Sequence, residues 1–263
     1  MLPSEFEIEG KTVIVTAASR GIGKGIVRVL AEAGAKVMVT ALTETNLKPL
    51  ADEMAVAGHP IETLAADATK ADDWTRTVDE ALAKWGHVDT LINTLGDAIR
   101  KPLVPLPGGT STEAMTDEEW RFVVDINLTE SFMGCRAIGP HFLERKQGKV
   151  INVSSYAARR GDPGMLAYAT AKAGLTRLTQ TLAHEWAPHG ITVNCIAPGT
   201  FPDTEKLNDE RRTLFRERAA ASVPLGRVGN IREVGLLALY LVSDASNYMT
   251  GETIHLDGGA THP

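Results

Sequence analysis

A tyrosine and a lysine four residues apart, Tyr168 and Lys172 in "YATAK", form a pair that can move a proton. Residues four apart share one face of a helix, so the two side chains can converge. A free phenol has a pKa of about 10 and yields little phenolate at neutral pH. A neighbouring ammonium group stabilises phenolate and brings the phenol toward the range of a general acid or base. The pattern therefore predicts a proton-transfer site in which Lys172 lowers the pKa of Tyr168.

Two glycine-containing turns follow predicted strands. The first, "TAASRGIG" at residues 16–23, joins the strand "KTVIVT" to a helix. Gly21 and Gly23 let the backbone approach a phosphate there, and the N–H groups at the start of the helix face its negative charge. The second turn, "NTLG" at 93–96, ends the fourth predicted strand, which neighbours the first across the switch point of a doubly wound sheet. Both turns are therefore expected to face one phosphate-binding crevice.

Short β-branched runs alternate with longer stretches of helical spacing along the whole chain. The predicted strands are "KTVIVT", "KVMVT", "IETLAA", "DTLIN", "KVINVSS", "ITVNCIA" and "TIHL". The predicted helices cover residues 21–33, 43–57, 70–85, 116–143, 166–187 and 231–242. Because the strands are apolar almost throughout, both faces of the sheet must be covered. We therefore predict an α/β fold over residues 1–263, a single domain with one Rossmann-like doubly wound parallel sheet and helices on both faces.

Two segments interrupt this alternation. Residues 97–115 are rich in proline and glycine, and residues 199–228 are charged and predicted to be partly helical. Each follows the carboxyl end of a predicted strand, where open α/β sheets bind their ligands. We expect the two segments to form walls of a substrate pocket, with plain surface insertions as the alternative.

Composition excludes several classes of protein. The net charge of −6 provides no basic field for nucleic acid. No stretch approaches the roughly 20 apolar residues that span a bilayer, and the N-terminus lacks a signal-peptide pattern, so we expect a cytoplasmic protein without membrane contact. The seven histidines show no spacing typical of a catalytic zinc, so no metal is expected. Cys135 and Cys195 are interpreted as small buried side chains.

In their order along the chain, these motifs resemble those of the short-chain dehydrogenase/reductase family. Their sequences are most similar to the 3-oxoacyl carrier-protein reductase branch. The family's two glycine turns match "TAASRGIG" and "NTLG", and its helix-borne asparagine matches Asn127 in "DINL". Its serine and its Tyr-x-x-x-Lys match Ser155 and "YATAK". The later Pro-Gly and Asp-Gly-Gly motifs match "APG" and "LDGG". The matches run from residue 12 to 259, which covers nearly all of the chain.

The resemblance implies an oxidoreductase that transfers hydride between the nicotinamide of NADP(H) and a small ketone or secondary alcohol. It implies that Tyr168 protonates the substrate oxygen, that Ser155 polarises it, and that Lys172 also binds the nicotinamide ribose. Asn127, at a helix break, would hold Lys172 through a water. The implied cofactor-binding residues are Ala18, Ser19, Arg20, Gly21, Ile22, Gly23, Thr40, Ala41, Asp67, Ala68, Asn93, Gly96, Tyr168, Lys172, Pro198 and Gly199. Relatives pair through the helices predicted at 116–143 and 166–187, so a homo-oligomer, dimer or tetramer, is expected.

Departures from the family pattern bear on the cofactor. Ala41 stands where NAD-preferring members carry an aspartate, so the carboxylate that repels a 2′-phosphate is absent. Arg20 supplies a guanidinium suited to phosphate, and the hydroxyls of Thr40 and Thr43 can add contacts. We therefore expect NADP rather than NAD. Ala17 replaces the first glycine of the turn and makes it less permissive in φ.

Several alternatives remain open at this stage. Met133 and His184 stand where carrier-protein reductases carry docking arginines. Two substrate classes therefore stay open, a 3-oxoacyl carrier protein and free ketones. Enoyl reduction fits less well, since those relatives space the tyrosine and lysine further apart. A non-catalytic NADP-binding sensor or scaffold is disfavoured by the intact catalytic set. Thr204 in "PGTFPDTEKL" lies one residue later than the family's threonine, which leaves its nicotinamide contact in doubt.

Four basic residues raise a further hypothesis about the substrate. An acidic substrate is favoured if these side chains gather at one pocket. They are Arg100, Lys101, Arg159 and Arg160.

Overall fold

Seven parallel strands form one sheet in the computed structural model, which describes residues 3–108, 113–203 and 207–261. The strands are β1 (Thr12–Val15), β2 (Lys36–Ala41), β3 (Glu62–Ala65), β4 (Thr90–Asn93), β5 (Gly148–Val153), β6 (Ile191–Pro198) and β7 (Thr253–Leu256). Their order is β3-β2-β1-β4-β5-β6-β7, and each neighbouring pair runs parallel. The predicted doubly wound parallel sheet is confirmed. Thr204 lies outside the described residues.

Helices cover both faces of this sheet. Within the described ranges they are α1 (Gly21–Glu32), α2 (Glu44–Val56), α3 (Ala71–Trp85), α4 (Asp117–Val124), α5 (Glu130–Arg145), α6 (Leu166–Trp186), α7 (Asp209–Ser222) and α8 (Ile231–Val242). Helices α1, α2 and α8 share one apolar core with the sheet, and α3, α5 and α6 share the other. Successive side chains of a strand point to opposite faces, so Val13 and Val15 enter the first core while Ile14 enters the second. This explains why the central strands have apolar residues on both faces.

The chain changes direction across the sheet between β1 and β4. From β1 the order proceeds through β2 to β3, whereas from β4 it proceeds the other way through β5, β6 and β7. The loops that leave the carboxyl ends of these two neighbouring strands therefore diverge and open a crevice. The two glycine turns lie at this edge.

The helix predicted at 116–143 is interrupted. It consists of α4, a π-helical turn at Asp125–Thr129, and α5. A π turn inserts one extra residue into the helical repeat, and such turns often occur at functional sites. Asn127 is buried within the π turn, so the helix break expected at this residue is present.

Candidate active site

The first glycine turn places backbone N–H groups at the crevice on residues that have no side chain of their own. Gly21 begins α1 with a φ of 55°, in the left-handed region that favours glycine. A β-carbon on Gly23 would lie 2.6 Å from the Cα of Ala18 and 2.8 Å from the Oγ1 of Thr94. Only glycine fits this contact, so the turn has the close backbone approach that a phosphate cradle needs.

The two turns are hydrogen-bonded to each other. The Thr94 N–H donates to the Oγ1 of Thr16 at 3.3 Å, and the Thr94 hydroxyl donates to the Thr16 carbonyl. Below them, the Asn93 amide donates to the Oδ1 of Asn152 at 2.8 Å. The side chain of Thr94 therefore fastens the second turn to the first. This role was missed in the sequence, because it depends on two residues 78 positions apart.

A carboxylate of the chain itself lies at the start of α1. The Gly21 N–H donates to the Oδ2 of Asp203 at 3.2 Å, and the Oδ1 of Asp203 is buried without a hydrogen-bond partner among the described residues. An anion at a helix N-terminus is stabilised by the free N–H groups and the helix dipole. The site that the turn was predicted to offer a phosphate therefore accepts a negative group. Sequence reasoning did not single out Asp203.

Ala17 occupies a backbone conformation that its side chain disfavours. Its φ is 51°, and its N–H donates to the Oγ1 of Thr40 at 3.3 Å. A left-handed conformation costs a non-glycine residue roughly 1–2 kcal/mol, whereas glycine adopts it freely. The alanine that departs from the family's glycine thus strains the first turn.

We expect Ala17→Gly to raise the free energy of unfolding by up to about 1 kcal/mol, because relief of strain exceeds the added flexibility of the unfolded chain. Urea denaturation measures this change. Ala18→Gly is the matched control, since Ala18 is buried and not among the residues with positive φ, and it should destabilise the protein. Destabilisation of similar size in both variants would contradict the strain argument.

Thr40 does not fit the direct contact with a 2′-phosphate that the sequence suggested. Its side chain is buried, and its hydroxyl accepts the N–H of Ala17, so it supports the first turn from beneath. The Oγ1 of Thr43 accepts the N–H of Asn46 at 3.3 Å and caps α2 while remaining exposed. Ala41 is buried at the end of β2, and Arg20 is exposed at the N-cap of α1. Arg20 therefore remains the predicted phosphate-facing side chain.

The predicted proton-transfer residues come together beside the second turn. Ser155 follows β5 and its hydroxyl oxygen accepts the N–H of Ala157 at 3.1 Å, and its side chain lies near enough to that of Tyr168 to lower the pKa of the phenol. Lys172 lies one turn further along α6, with its Nζ 5.9 Å from the centre of the Tyr168 ring. Its ammonium group donates to the carbonyls of Leu95 at 3.2 Å and Val153 at 2.9 Å. These two bonds hold the lysine between the ends of β4 and β5.

The expected lowering of the Tyr168 pKa is not observed. Burial raises the pKa of Tyr168 above its usual value, and the hydrogen bond with Ser155 offsets only part of that effect. Burial disfavours the charged phenolate, and in this arrangement it is the larger influence. Tyr168 is therefore a protonated phenol at neutral pH, the form that can donate a proton.

Asn127 and Lys172 meet behind Gly96. A β-carbon on Gly96 would lie 2.7 Å from the Oδ1 of Asn127 and 2.9 Å from the Nζ of Lys172. The Asn127 amide donates to the carbonyls of Asp97 at 2.7 Å and Val123 at 2.8 Å. Its Oδ1 is buried and has no partner within the described part of the chain. The carbonyl oxygen of Asn127 and the ammonium group of Lys172 therefore both lie beside Gly96.

The remaining predicted residues lie at the same edge of the sheet, at the ends of strands or in the turns and the first helix that follow them. Asp67 follows β3 and accepts from the N–H and hydroxyl of Thr69 at 2.9 and 2.7 Å. Gly199 follows β6, where a β-carbon would lie 2.8 Å from the Cα of Asp257. The edge also carries Ala18, Ser19, Ile22, Ala68, Asn93 and Pro198.

Two of the four basic residues considered for an acidic substrate are paired with carboxylates. Lys101 forms ion pairs with Glu113 at 2.8 Å and Glu119 at 2.7 Å, and Arg160 pairs with Asp162 at 3.1 Å. These carboxylates offset the positive charge that an acidic substrate would need. The structure therefore does not support the hypothesis for Lys101 and Arg160.

Known proteins are similar to this chain over almost all of its length. A family model described as enoyl-(acyl carrier protein) reductase matches residues 16–261. The 3-oxoacyl-[acyl-carrier-protein] reductase FabG of Vibrio cholerae serotype O1 is 37% identical over 97% of this chain and 98% of that protein. FabG of Escherichia coli K12 is 34% identical, with the same coverage of 97% and 98%.

A solved structure has a similar fold. It is that of a gluconate 5-dehydrogenase from Burkholderia cenocepacia J2315 in complex with NADP and tartrate. It superposes with a TM-score of 0.88 at 29% identity and covers 99% of this chain and 98% of its own. Within the described ranges of our structure, no helix combines the length and apolar character that crossing a membrane requires.

Proposed function

The chain belongs to the short-chain dehydrogenase/reductase family of oxidoreductases, and on that premise we propose that it transfers hydride between NADP(H) and a small ketone or secondary alcohol. The observation that carries this proposal is the placement of Tyr168 beside Ser155, with Lys172 one turn further along the same helix and its Nζ 5.9 Å from the centre of the Tyr168 ring. A phenol, a hydroxyl and an ammonium group at one crevice are suited to a carbonyl oxygen that gains negative charge.

In this proposal the bound nicotinamide supplies or accepts the hydride, and residues of the chain handle the oxygen and its proton. The Ser155 hydroxyl binds the substrate oxygen. Tyr168, protonated because burial raises its pKa, donates its proton to that oxygen during reduction. The positive charge of Lys172 stabilises the phenolate that remains. Asn127 supports Lys172 from the π turn.

NADP is the proposed dinucleotide, and NAD is the less favoured one. Ala41 leaves the end of β2 without a carboxylate, so nothing at that position repels a 2′-phosphate. The exposed Arg20 at the start of α1 can form two parallel hydrogen bonds with phosphate oxygens. The interlocked turns and the anion-accepting N–H of Gly21 fit the diphosphate of either dinucleotide.

The test is a screen of NADPH and NADH oxidation with a panel of ketones that includes sugars, steroids, a 2-keto acid and a 3-oxoacyl thioester. The proposal expects NADPH oxidation with at least one ketone and weaker oxidation of NADH. Activity confined to the thioester would establish the narrower alternative, a 3-oxoacyl carrier-protein reductase. Tight NADPH binding without turnover on any member of the panel would favour a sensor or scaffold.

Asp203 leads to a separate prediction about dinucleotide affinity. Its carboxylate lies at the Gly21 N–H, where a diphosphate is proposed to bind, so the two negative groups compete. We expect Asp203→Asn to bind NADPH several-fold more tightly than the wild type. Added salt screens the repulsion and should reduce the difference. Fluorescence titration at low and high salt measures both effects.

The control for this prediction is Glu210→Gln, which removes an exposed carboxylate from the same 199–228 segment and should leave the affinity unchanged. Weaker binding by Asp203→Asn would mean that Asp203 assists the dinucleotide instead of competing with it.

A further inference from the structure

A carboxyl group lies buried beside the catalytic lysine, and the proposed reaction does not use it. Glu130, the first residue of α5, is only 1% exposed. One of its oxygens accepts the hydroxyl of Ser131, and the other, Oε2, is buried with no hydrogen-bond partner in the part of the chain that the structure describes. A buried carboxyl group with an unpaired oxygen is unfavourable for folding, so its position calls for a physical reason.

The packing of α5 against the end of β4 accounts for the position of Glu130. Gly134 lies one helical turn beyond Glu130, and residues four apart share a face of an α-helix. A β-carbon on Gly134 would lie 2.9 Å from the Oδ1 of Asn93, the last residue of β4. Two residues further along, the Leu95 carbonyl accepts the ammonium group of Lys172. Glu130 and Lys172 therefore lie at the same end of β4.

Lys172 is 2% exposed, and the hydrogen-bond partners found for its ammonium group in the described residues are the neutral carbonyls of Leu95 and Val153. Burial lowers the pKa of Lys172 to about 8, and the negative charge of Glu130 opposes that effect. Burial raises the pKa of Glu130 to about 7, and the positive charge of Lys172 opposes it. Each buried group therefore favours the charged form of the other.

The other titratable groups around this pair are two thiols and a phenol. The charge of Glu130 acts on Cys135 of α5, and that of Lys172 acts on Cys195 of β6. Burial raises the pKa of the two thiols to about 12 and about 11. Tyr168 lies on the same helix as Lys172, and burial raises its pKa as well. All three stay protonated near neutral pH, so Glu130 is the anion that acts on Lys172.

We propose that Glu130 is a positioning residue whose carboxylate keeps Lys172 charged in its buried place and so preserves the ammonium group that the Tyr168 phenolate needs. This inference rests on the proposed function. Glu130 has no part in binding the substrate. It acts only through its charge on Lys172.

Glu130→Gln tests the inference, because it keeps the size of the side chain and removes the charge. Without the carboxylate, burial lowers the pKa of Lys172 further, and the ammonium is lost at lower pH. We expect kcat/KM for ketone reduction to match the wild type near pH 6 and to be about tenfold lower near pH 9. That ratio corresponds to a shift of about one pH unit in the basic limb of the pH profile, where kcat/KM falls as Lys172 loses its proton. Glu130→Asp retains the charge and should keep most of the wild-type kcat/KM near pH 9.

Cys135→Ala is the matched control, since it alters buried packing on the same helix without removing a charge at neutral pH. It should leave the pH profile unchanged. A purely structural role for Glu130 predicts a loss of activity in Glu130→Gln that is equal at pH 6 and pH 9, and that result would overturn the inference. If Glu130→Gln does not fold, Glu130→Met takes its place, because it removes the charge and leaves no buried polar group without a partner. The same loss of activity near pH 9 but not near pH 6 supports the inference, and a wild-type pH profile overturns it.

Thermal unfolding without cofactor gives a second readout. Because the folded pKa of Glu130 lies above the unfolded value, the stability it contributes is present below about pH 4.5 and is lost as the pH rises through about 7. Glutamine does not titrate. The Tm of Glu130→Gln relative to that of the wild type should therefore rise between pH 5 and pH 7.5. A constant difference in Tm over this range would contradict a buried carboxyl group that ionises.

Failure of this inference can be distinguished from failure of the proposed function. If the wild type reduces no ketone, the proposed function fails, and the Tm comparison still tests the charge of Glu130. If the wild type is active and Glu130→Gln has the wild-type pH profile, only the inference about Glu130 fails.

Discussion

Replacing Tyr168 with phenylalanine is expected to lower kcat/KM for ketone reduction by about 100- to 10,000-fold, the range typical of a lost general acid. The substitution removes one oxygen from a partly buried side chain beside Ser155. The ring remains to fill its space, so the fold and the two glycine turns should be unaffected. NADPH affinity measured by fluorescence should stay close to the wild-type value. Steady-state kinetics on the best ketone of the screen measures the loss.

Tyr156→Phe is the control for this experiment. Tyr156 lies in the short helical turn after Ser155, so its substitution removes a phenol oxygen from the same region. Activity close to wild type is expected. If Tyr168→Phe turned over the substrate as fast as the wild type, proton donation by Tyr168 would be excluded, and the sensor or scaffold alternative would regain support.

Gly23→Ala is expected to have the largest effect on dinucleotide binding. The added β-carbon would lie 2.6 Å from the Cα of Ala18, which is backbone and cannot move alone, and 2.8 Å from the Oγ1 of Thr94. The first turn must therefore shift away from the second, and the cradle opens. We expect NADPH affinity to fall by more than tenfold. We also expect the free energy of unfolding to fall by about 1–3 kcal/mol, as for other overpacked sites.

Isothermal titration with NADPH and urea denaturation measure these two losses. Gly161→Ala is the matched control, because no atom lies within 4 Å of the β-carbon it would add. It should bind NADPH as the wild type does. Undiminished affinity in Gly23→Ala would show that the contact between the two turns is not needed for the dinucleotide.

The secondary structure of this protein was largely predictable from the sequence alone. The helix predicted at 231–242 is observed as Ile231–Val242, and that predicted at 166–187 as Leu166–Trp186. The strand "TIHL" is observed as Thr253–Leu256. Periodicity of apolar residues is a local property, and in a sheet covered on both faces it also determines the fold class. The spacing of Tyr168 and Lys172 is also a local property that the sequence determines, since it depends on one helical turn.

Only the tertiary structure decided the properties that depend on distant residues. Asp203 reaches the Gly21 N–H across 182 positions, and the side chain of Thr94 ties the two turns together across 78. The raised pKa of Tyr168 depends on how many neighbours exclude water, and spacing along a helix carries no information about that. Glu130 looked like one more acidic residue in a long helix, and it became a buried charge beside Lys172 only once the helices had packed. Burial and long-range pairing are properties of the assembled chain, and they determine the charge states on which the chemistry depends.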